Sequence, residues 1–414
     1  MPLVLTLKFS LSRMFASHTA NGIRMDSFIF KNATQIIFGK DSEAQVGAAA
    51  AALASKVLLL SGMGSAERSG LLDRVRKSLS DAGVAWVELA GIQPNPRLQA
   101  VHDGVRICRE QQVGLVLAVG GGSVIDTAKA IAAGVPYAGD VWDFFDGKAS
   151  VTSAIAVACI LTIPAAGSES SGSTVITRED GWLKRGMTSD AHLRPVFSIL
   201  NPQLTTTLPA RDTANGGADM MSHVMERYFT NSTDVDFSDR LCEATMRSIV
   251  HNLPRVLAEP QNYAARAELM WSGTLAHNDL IGMGRGGDWA SHEIEHELSA
   301  IYDIPHGAGL AIVFPAWMKH VYRHDLARFA QWANRVWNVE ANFSRPDLMA
   351  LEGIRCLEAF YAACGLAVRL SELGIGADRL AEMAGKATKQ GSASIGNFVK
   401  LDEKSVIEIF KLAL

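Results

Sequence analysis

The sequence predicts an N-terminal α/β domain built on a mostly parallel sheet, followed by an all-helical C-terminal domain. The chain has 414 residues, which is enough for two domains with separate cores. Short continuous apolar runs alternate with helical patterns in the first half, as in parallel strands joined by helices. After Pro209 strand-like runs nearly vanish and helical patterns continue to Leu414. We therefore expect the two domains to span residues 25–209 and 210–414.

The elements of the first half follow from these patterns in order along the chain. Residues 28–38 alternate well enough to predict two short strands around Asn32-Ala33-Thr34. The continuous apolar run from Lys56 to Ser61 is typical of a buried parallel strand. Further strands are predicted at 85–89, 113–119, 155–163 and 196–200, and helices at 66–81, at 95–111 and from residue 124.

The first 24 residues differ from the rest of the chain. Met1 to Leu7 lacks basic residues, Lys8 and Arg13 come late, and no small-residue cleavage site follows. A cleaved signal peptide is therefore a weak interpretation. We expect Met25 to be the natural start and residues 1–24 to be an upstream extension or a disordered tail.

Composition and charge exclude several classes of function. The net charge is −4, from 39 Lys and Arg against 43 Asp and Glu, so no basic field favours nucleic acid or an anionic membrane. No apolar run reaches the roughly 18 residues that a membrane span requires. The five cysteines contain no CxxC pair and indicate buried free thiols in a reducing compartment. We therefore expect a cytoplasmic protein.

Two polar loops follow predicted buried strands of the first half. Gly120-Gly121-Gly122-Ser123 joins a strand to a helix, where backbone N–H groups can bind a pyrophosphate. The alternative is a tight turn without a ligand, because the loop lacks the G-x-G-x-x-G pattern. Asp126, one turn into the helix, could reach the same cleft, and the loop from Thr162 to Gly172, with Ser168, suits phosphate or ribose contacts.

Four residues of the second half are spaced like the ligands of one divalent metal ion. Asp219 and His223 are four residues apart, one helical turn, and His292 and His306 follow later in the chain. Three imidazoles with one carboxylate suit Fe(II) or Zn(II). A rival interpretation is a zinc peptidase, because His292-Glu293-Ile294-Glu295-His296 also matches H-E-x-x-H.

With these motifs in this order, the chain resembles the iron-containing (group III) alcohol dehydrogenases, in the branch of NADPH-dependent butanol dehydrogenases and aldehyde reductases. The resemblance covers residues 25–414. It is carried by Gly120–Lys129, Ile163–Glu169, Asp219-x-x-x-His223, Gly287–Leu298 and Pro305-His306-Gly307.

The resemblance implies a function and a site. It implies a Rossmann-like sheet that binds NADP(H), a metal held by Asp219, His223, His292 and His306, and a homodimer. His296 would then face the cleft as a proton relay, and the peptidase interpretation falls away. Asn95 would contact the cofactor, as would Lys184 or Arg185, between which spacing does not choose.

The implied substrates are small aliphatic aldehydes and primary alcohols. Trp182, Met220, Met283 and Trp289 suggest an apolar lining, although these residues would also suit a core. Polyol oxidation or a lyase reaction on the same scaffold stays open, as does a binding protein without turnover.

The cofactor preference follows from the first buried strand. Lys56 to Ser61 runs into Gly62-Met63-Gly64-Ser65, with no carboxylate before Glu67. NAD-preferring enzymes use an acidic side chain here to bind the ribose and repel a 2′-phosphate. Gly62 and Gly64 leave space for the phosphate and Ser65 can hydrogen-bond it, which predicts NADP(H). The alternative is a glycine-rich turn without selectivity.

Overall fold

The sheet half is a six-stranded parallel sheet with helices against both faces, in a computed structural model that describes residues 25–414. The strand order is β1-β8-β5-β4-β2-β3. The strands of this sheet are β1 (Gln35–Phe38), β2 (Lys56–Gly62), β3 (Ala85–Ile92), β4 (Leu115–Gly120), β5 (Ala156–Leu161) and β8 (Phe197–Leu200). Its helices are α1 (Val46–Ala51), α2 (Ser65–Arg68), α3 (Leu71–Asp81), α4 (Leu98–Gln111), α5 (Gly122–Gly134) and α6 (Trp142–Phe145).

Successive side chains of β2 pack on opposite faces of the sheet, and both faces are buried. Val57 and Leu59 pack into the core on one face, and Leu58 and Leu60 into the core on the other. Both sets are almost fully buried. Burial on both faces explains why these strands are continuous apolar runs in the sequence.

From Ala210 onward the structure is helical. The helices are α7 (Ala210–Tyr228), α8 (Asp236–Ala258), α9 (Tyr263–His277), α10 (Ala290–Tyr302), α11 (His306–Val321), α12 (Leu326–Trp337), α13 (Pro346–Ala363), α14 (Leu380–Ala387) and α15 (Glu403–Ala413). They share one hydrophobic core. The predicted fold class is confirmed; the domain limit at residue 209 stays a prediction, and the predicted extension 1–24 lies outside the described residues.

The predicted hairpin at residues 28–38 is wrong. Residues 25–34 form no regular element, and β1 pairs in parallel with β8. The Asn32 side chain explains this, because it donates to the Ser170 carbonyl at 3.0 Å and to the Asn278 carbonyl at 3.2 Å. The segment is therefore anchored to the body of the protein and does not turn back on itself.

Two further differences concern element limits. The helix predicted at 66–81 is divided, because Gly70 has a φ of 68° and separates α2 from α3. An antiparallel hairpin was missed, formed by β6 (Ser173–Arg178) and β7 (Leu183–Thr188). It packs against α5 and α10, and it therefore bridges the two halves of the molecule.

Candidate active site

A cleft of about 1190 Å³ lies between the sheet and the helical half. It is lined by the four predicted metal ligands, by His296 and by the predicted cofactor residues except Gly64. The predicted cofactor residues on its wall are Gly62, Ser65, Asn95, Gly120, Gly121, Gly122, Ser123, Asp126, Thr162, Ser168 and Lys184. The sites predicted separately in the two halves therefore face one space.

Three helices converge on the predicted metal site. Asp219 and His223 lie one turn apart on α7, His292 lies in the first turn of α10, and His306 begins α11. Ligand atoms of Asp219, His292 and His306 lie within 4.8 Å of one another. His223 Nδ1 lies 3.1 Å from Asp219 Oδ1 and 3.2 Å from His292 Nε2. All four predicted ligands are thus brought together.

The protonation states of these side chains fit a divalent cation. Burial lowers the pKa of His292 and of His306 well below the ordinary value, so both rings are neutral at pH 7. Burial alone would raise the pKa of Asp219, but the contact with His223 holds it below its usual range. Asp219 Oδ1 is buried, and its 3.1 Å contact with His223 Nδ1 lacks hydrogen-bond geometry. A carboxylate with free acceptor capacity beside neutral imidazoles is a suitable donor set for Fe(II) or Zn(II).

Two fully buried glutamates contact the ring nitrogens of His292 and His306, and the sequence analysis missed them. Glu226 Oε1 lies 2.8 Å from His292 Nδ1, and Glu295 Oε2 contacts His306 Nδ1. Burial raises the pKa of Glu226 to about 7 and that of Glu295 to about 8. Their spacing was the available signal, because Glu226 lies seven residues after Asp219, on the same helical face.

Lys184, on β7, reaches across to the helical half. Its Nζ donates to Asn95 Oδ1 at 3.0 Å and to Ser299 Oγ at 2.8 Å, and it lies 3.5 Å from His306 Nδ1. Arg185 instead pairs with Glu297 at 2.6 Å. Both Lys184 and Arg185 line the cleft, so which of them contacts the cofactor stays a prediction.

Asn95 connects the turn after β3 to the metal site. Its Nδ2 donates to Asp303 Oδ1 at 3.0 Å and to the Ile304 carbonyl at 3.2 Å. Since His306 follows two residues later, the Asn95 turn fixes the segment that leads into this ligand. Asn95 is buried and has a φ of 50°.

The glycine-rich loop lies at the carboxyl end of β4 and opens directly into α5. A β-carbon on Gly120 would lie 2.4 Å from Val124 Cγ2, so the turn requires a glycine here. Asp126 accepts from Ser168 Oγ at 2.6 Å and from the Val175 N–H at 2.8 Å. Asp126 and Ser168 therefore join α5 to the second loop and the hairpin, and their predicted cofactor contacts stay predictions.

Two further histidines line the cleft. His296 lies one turn after His292, with its ring centre 5.5 Å from that of His306. His277, at the end of α9, contacts the Ala166 carbonyl through Nδ1 at 2.7 Å, and its ring centre lies 4.4 Å from that of His223. Sequence analysis missed His277, because a lone histidine outside any motif gives no signal.

Comparison with known proteins covers both halves of the chain. The family model of the iron-containing alcohol dehydrogenases matches residues 33–202, and the model of the C-terminal domain of the same family matches residues 213–414. The chain belongs to the iron-containing alcohol dehydrogenase family. The predicted family and the predicted class, a metal-dependent alcohol dehydrogenase or aldehyde reductase, are confirmed.

Individual relatives of this alcohol dehydrogenase agree with the family models. It is 42% identical over 390 residues to probable NADH-dependent butanol dehydrogenase 1 of Bacillus subtilis, covering 94% of this chain and 100% of the relative. It is 36% identical over 375 residues to NADPH-dependent aldehyde reductase YqhD of Escherichia coli, covering 90% and 95%. The crystal structure of NADH-dependent butanol dehydrogenase A of Thermotoga maritima superposes with a TM-score of 0.90 at 41% identity, covering 94% and 99%.

Proposed function

We propose that this enzyme interconverts small aliphatic aldehydes and primary alcohols with NADP(H) and one divalent metal, Fe(II) or Zn(II). The observation that carries the proposal is the shared cleft, with the donor cluster on one wall and the glycine-rich loop on the other. When bound, the metal supplies Lewis-acid polarisation of a substrate oxygen and the nicotinamide supplies the hydride. None of the helices within residues 25–414 is long and apolar enough to cross a membrane.

The chain's own residues bind, orient and hold protons in this mechanism. Asp219, His223, His292 and His306 provide the metal ligands, and the backbone N–H groups at the start of α5 receive the pyrophosphate. His296 serves as the proton relay, since its imidazole lines the cleft one turn from a ligand.

The substrate class is inferred from the lining and from the relatives. Met283 and Trp289 line the cleft and favour an aliphatic chain over a polyol. Of the other residues expected there, Met220 is buried in the helical core, and Trp182 lies exposed on the hairpin turn with Arg97 stacked on its ring. Relatives named butanol dehydrogenase fit this preference.

The preference for NADP(H) is supported by charge at the end of β2. A β-carbon on Gly64 would lie 3.0 Å from Arg68 Nη1, so a guanidinium sits against the turn that would hold the 2′-phosphate. The nearby acid, Glu67, is already paired with Arg76 at 2.8 Å. Relatives carry both preferences in their names, NADH in Bacillus subtilis and NADPH in Escherichia coli.

A homodimer and a cytoplasmic location complete the proposal. Phe28, Ile29 and Phe30 are 52%, 87% and 42% exposed, in the segment that precedes the edge strand β1. Such a run of exposed apolar side chains favours contact with a second copy. The cysteines of the described chain are free thiols, as expected in a reducing compartment.

Steady-state kinetics test the function. We expect faster oxidation of NADPH than of NADH with butanal at equal concentrations, and little reduction of NAD+ with glycerol. Glycerol turnover above that of butanol would favour the polyol alternative, and equal use of both reduced cofactors would defeat the NADP(H) preference.

Substitution of Gly62 by aspartate tests the cofactor site. A β-carbon at Gly62 would lie 3.5 Å from its nearest neighbour, the Ile92 carbonyl oxygen, so the fold should tolerate Gly62→Asp. The added carboxylate should weaken the binding of NADPH by about 1–3 kcal/mol, which is the scale of a badly placed charge. NADH should be affected less. Unchanged KM values for both cofactors would show that this turn does not discriminate between cofactors with and without a 2′-phosphate.

A further inference from the structure

Helix α7 carries three chemically important side chains on one face, and only two of them are metal ligands in the proposed function. Asp219, His223 and Glu226 occupy positions i, i+4 and i+7. Glu226 is fully buried and, unlike the other two, is not part of the cleft wall. It therefore contacts neither substrate nor cofactor.

The Glu226 carboxylate receives three hydrogen bonds from the start of α10. Oε2 accepts from the Trp289 N–H at 2.6 Å, and Oε1 accepts from the His292 N–H at 3.2 Å. The same Oε1 lies 2.8 Å from His292 Nδ1. Each of these three nitrogens faces an oxygen of the Glu226 carboxylate. An ionised carboxylate has the acceptor capacity for all three hydrogen bonds.

The start of α10 depends on this side chain for its cap. Trp289 occupies the N-cap position with a φ of 69° and makes no side-chain cap. Asp288 Oδ2 accepts from the Ala290 N–H at 3.3 Å, but the N–H groups of Trp289 and His292 need a further acceptor. Glu226 supplies that acceptor from a different helix. The residue that closes the N-terminus of α10 is thus also the one that holds the ring of His292.

We propose that Glu226 is a positioning residue of the metal site. Its carboxylate keeps the proton of His292 on Nδ1, fixes the plane of the ring and turns the Nε2 lone pair toward the ligand cluster. Carboxylates that hold metal-binding histidines in this way increase metal affinity, and their removal typically weakens binding about 10–100-fold. The inference rests on the proposed function, because it requires that Asp219, His223, His292 and His306 bind a metal.

Metal titration of protein stripped with a chelator tests the role directly. Wild type and Glu226→Gln are titrated with Zn(II) against a competing chelator, and with Co(II) by visible absorption. Glutamine keeps the size of the side chain, but its NH2 group would face the N–H of Trp289 or of His292. We expect a Kd for Zn(II) about 10–100-fold higher than in wild type, and a changed Co(II) spectrum.

Glu243→Gln is the matched control. Glu243 is also a buried helical glutamate, but it accepts from Tyr228 at 3.0 Å and pairs with Arg335 at 3.0 Å, away from the metal site. Its substitution should leave both metal titrations at wild-type values. An equal weakening in Glu243→Gln would show a general effect of losing a buried glutamate and would overturn the proposal.

A double-mutant cycle separates positioning from a general loss of structure. Co(II) is raised to concentrations that fill the weakened three-ligand site of His292→Ala. If Glu226 acts through His292, then Glu226→Gln in that background should bind Co(II) as His292→Ala alone does. Additive effects would mean that Glu226 acts independently of His292, and they would overturn the inference, as would wild-type binding by Glu226→Gln. A wild-type protein that binds neither metal would instead overturn the proposed metal site itself.

Discussion

His292 and His296 lie on the same face of one helix, yet their surroundings differ. His292 Nε2 lies 3.2 Å from His223 Nδ1, and its other ring nitrogen is held by Glu226. The His296 ring is half-buried on the cleft wall, near His306 but outside the group that includes Asp219. Identical residue types one turn apart thus have different surroundings.

Alanine substitutions at these two positions should separate metal binding from proton transfer. We expect His292→Ala to lose bound metal, because a four-ligand site is reduced to three. His296→Ala should keep its metal and lose about 10²–10⁴-fold in kcat, the usual contribution of a positioned proton-transfer group, with an altered pH profile. Metal analysis and pH–rate profiles of both variants provide the measurement; equal metal loss would favour the H-E-x-x-H arrangement.

Candidate site residues could be predicted from the sequence where they belong to a short motif. They could not be predicted where the residue that they contact lies far away in the sequence. Asp219 and His223 were recognisable because one helical turn separates them. Glu226 was not, because its partner His292 lies 66 residues away in the sequence. Lys129 is likewise fully buried, and its partners Ser168 and Ser173 lie 39 and 44 residues away in the sequence.

The elements that the sequence predicted well are those whose burial is uniform. β2, β4 and β5 are buried on both faces, so their apolar runs are continuous. The hairpin β6–β7 was missed because it lines the cleft with polar residues, such as Lys184 and Arg185, and its strands alternate only weakly.

Helix α5 is tied to this hairpin by a buried lysine. Lys129 Nζ donates to the Ser168 carbonyl at 2.7 Å and to the Ser173 carbonyl at 2.8 Å. Burial lowers the pKa of Lys129 to about 8, against the opposing attraction of Asp126. The ammonium is thus retained at neutral pH at some cost in stability.

The pH dependence of unfolding should report this lysine. Its folded pKa lies below the ordinary value of 10.5, so between about pH 8 and 10.5 the unfolded chain binds more protons. The contribution of Lys129 to the free energy of unfolding therefore rises with pH across this window, by about 2–3 kcal/mol. We expect the stability advantage of wild type over Lys129→Met to grow from pH 8 to pH 10 in denaturant titrations. The exposed Lys77→Met should show no such trend, and a constant difference for Lys129→Met would disprove the shift.

At the scale of the whole molecule, the side chains that form the hydrophobic cores are distinct from the proposed metal ligands. The hydrophobic core of the helical half and the two cores of the sheet half are separate clusters of buried side chains. The proposed ligands lie on the cleft wall. Metal occupancy should therefore affect activity far more than folding.

Treatment with EDTA should abolish activity and leave the protein folded. Circular dichroism should be unchanged, and the free energy of unfolding should fall by about 3–4 kcal/mol, the linkage expected when bound metal was present at 100 to 1,000 times its Kd. Adding back Fe(II), Zn(II) or Mn(II) separately identifies the working ion by the activity restored. Full activity in metal-free protein would refute the Lewis-acid role.

The order of the ligands along the chain has a consequence for biosynthesis. All four lie after residue 218, whereas Asn95 and Lys184, which contact the segment and ring of His306, belong to the part of the chain made first. Translation at about 5–20 residues per second allows the sheet half to fold before His306 leaves the ribosome. A nascent chain can therefore present only part of the donor set until His306, near the middle of the helical half, has been made. Metal selection is thus deferred until the sheet half is complete, and this preformed half receives the last ligand.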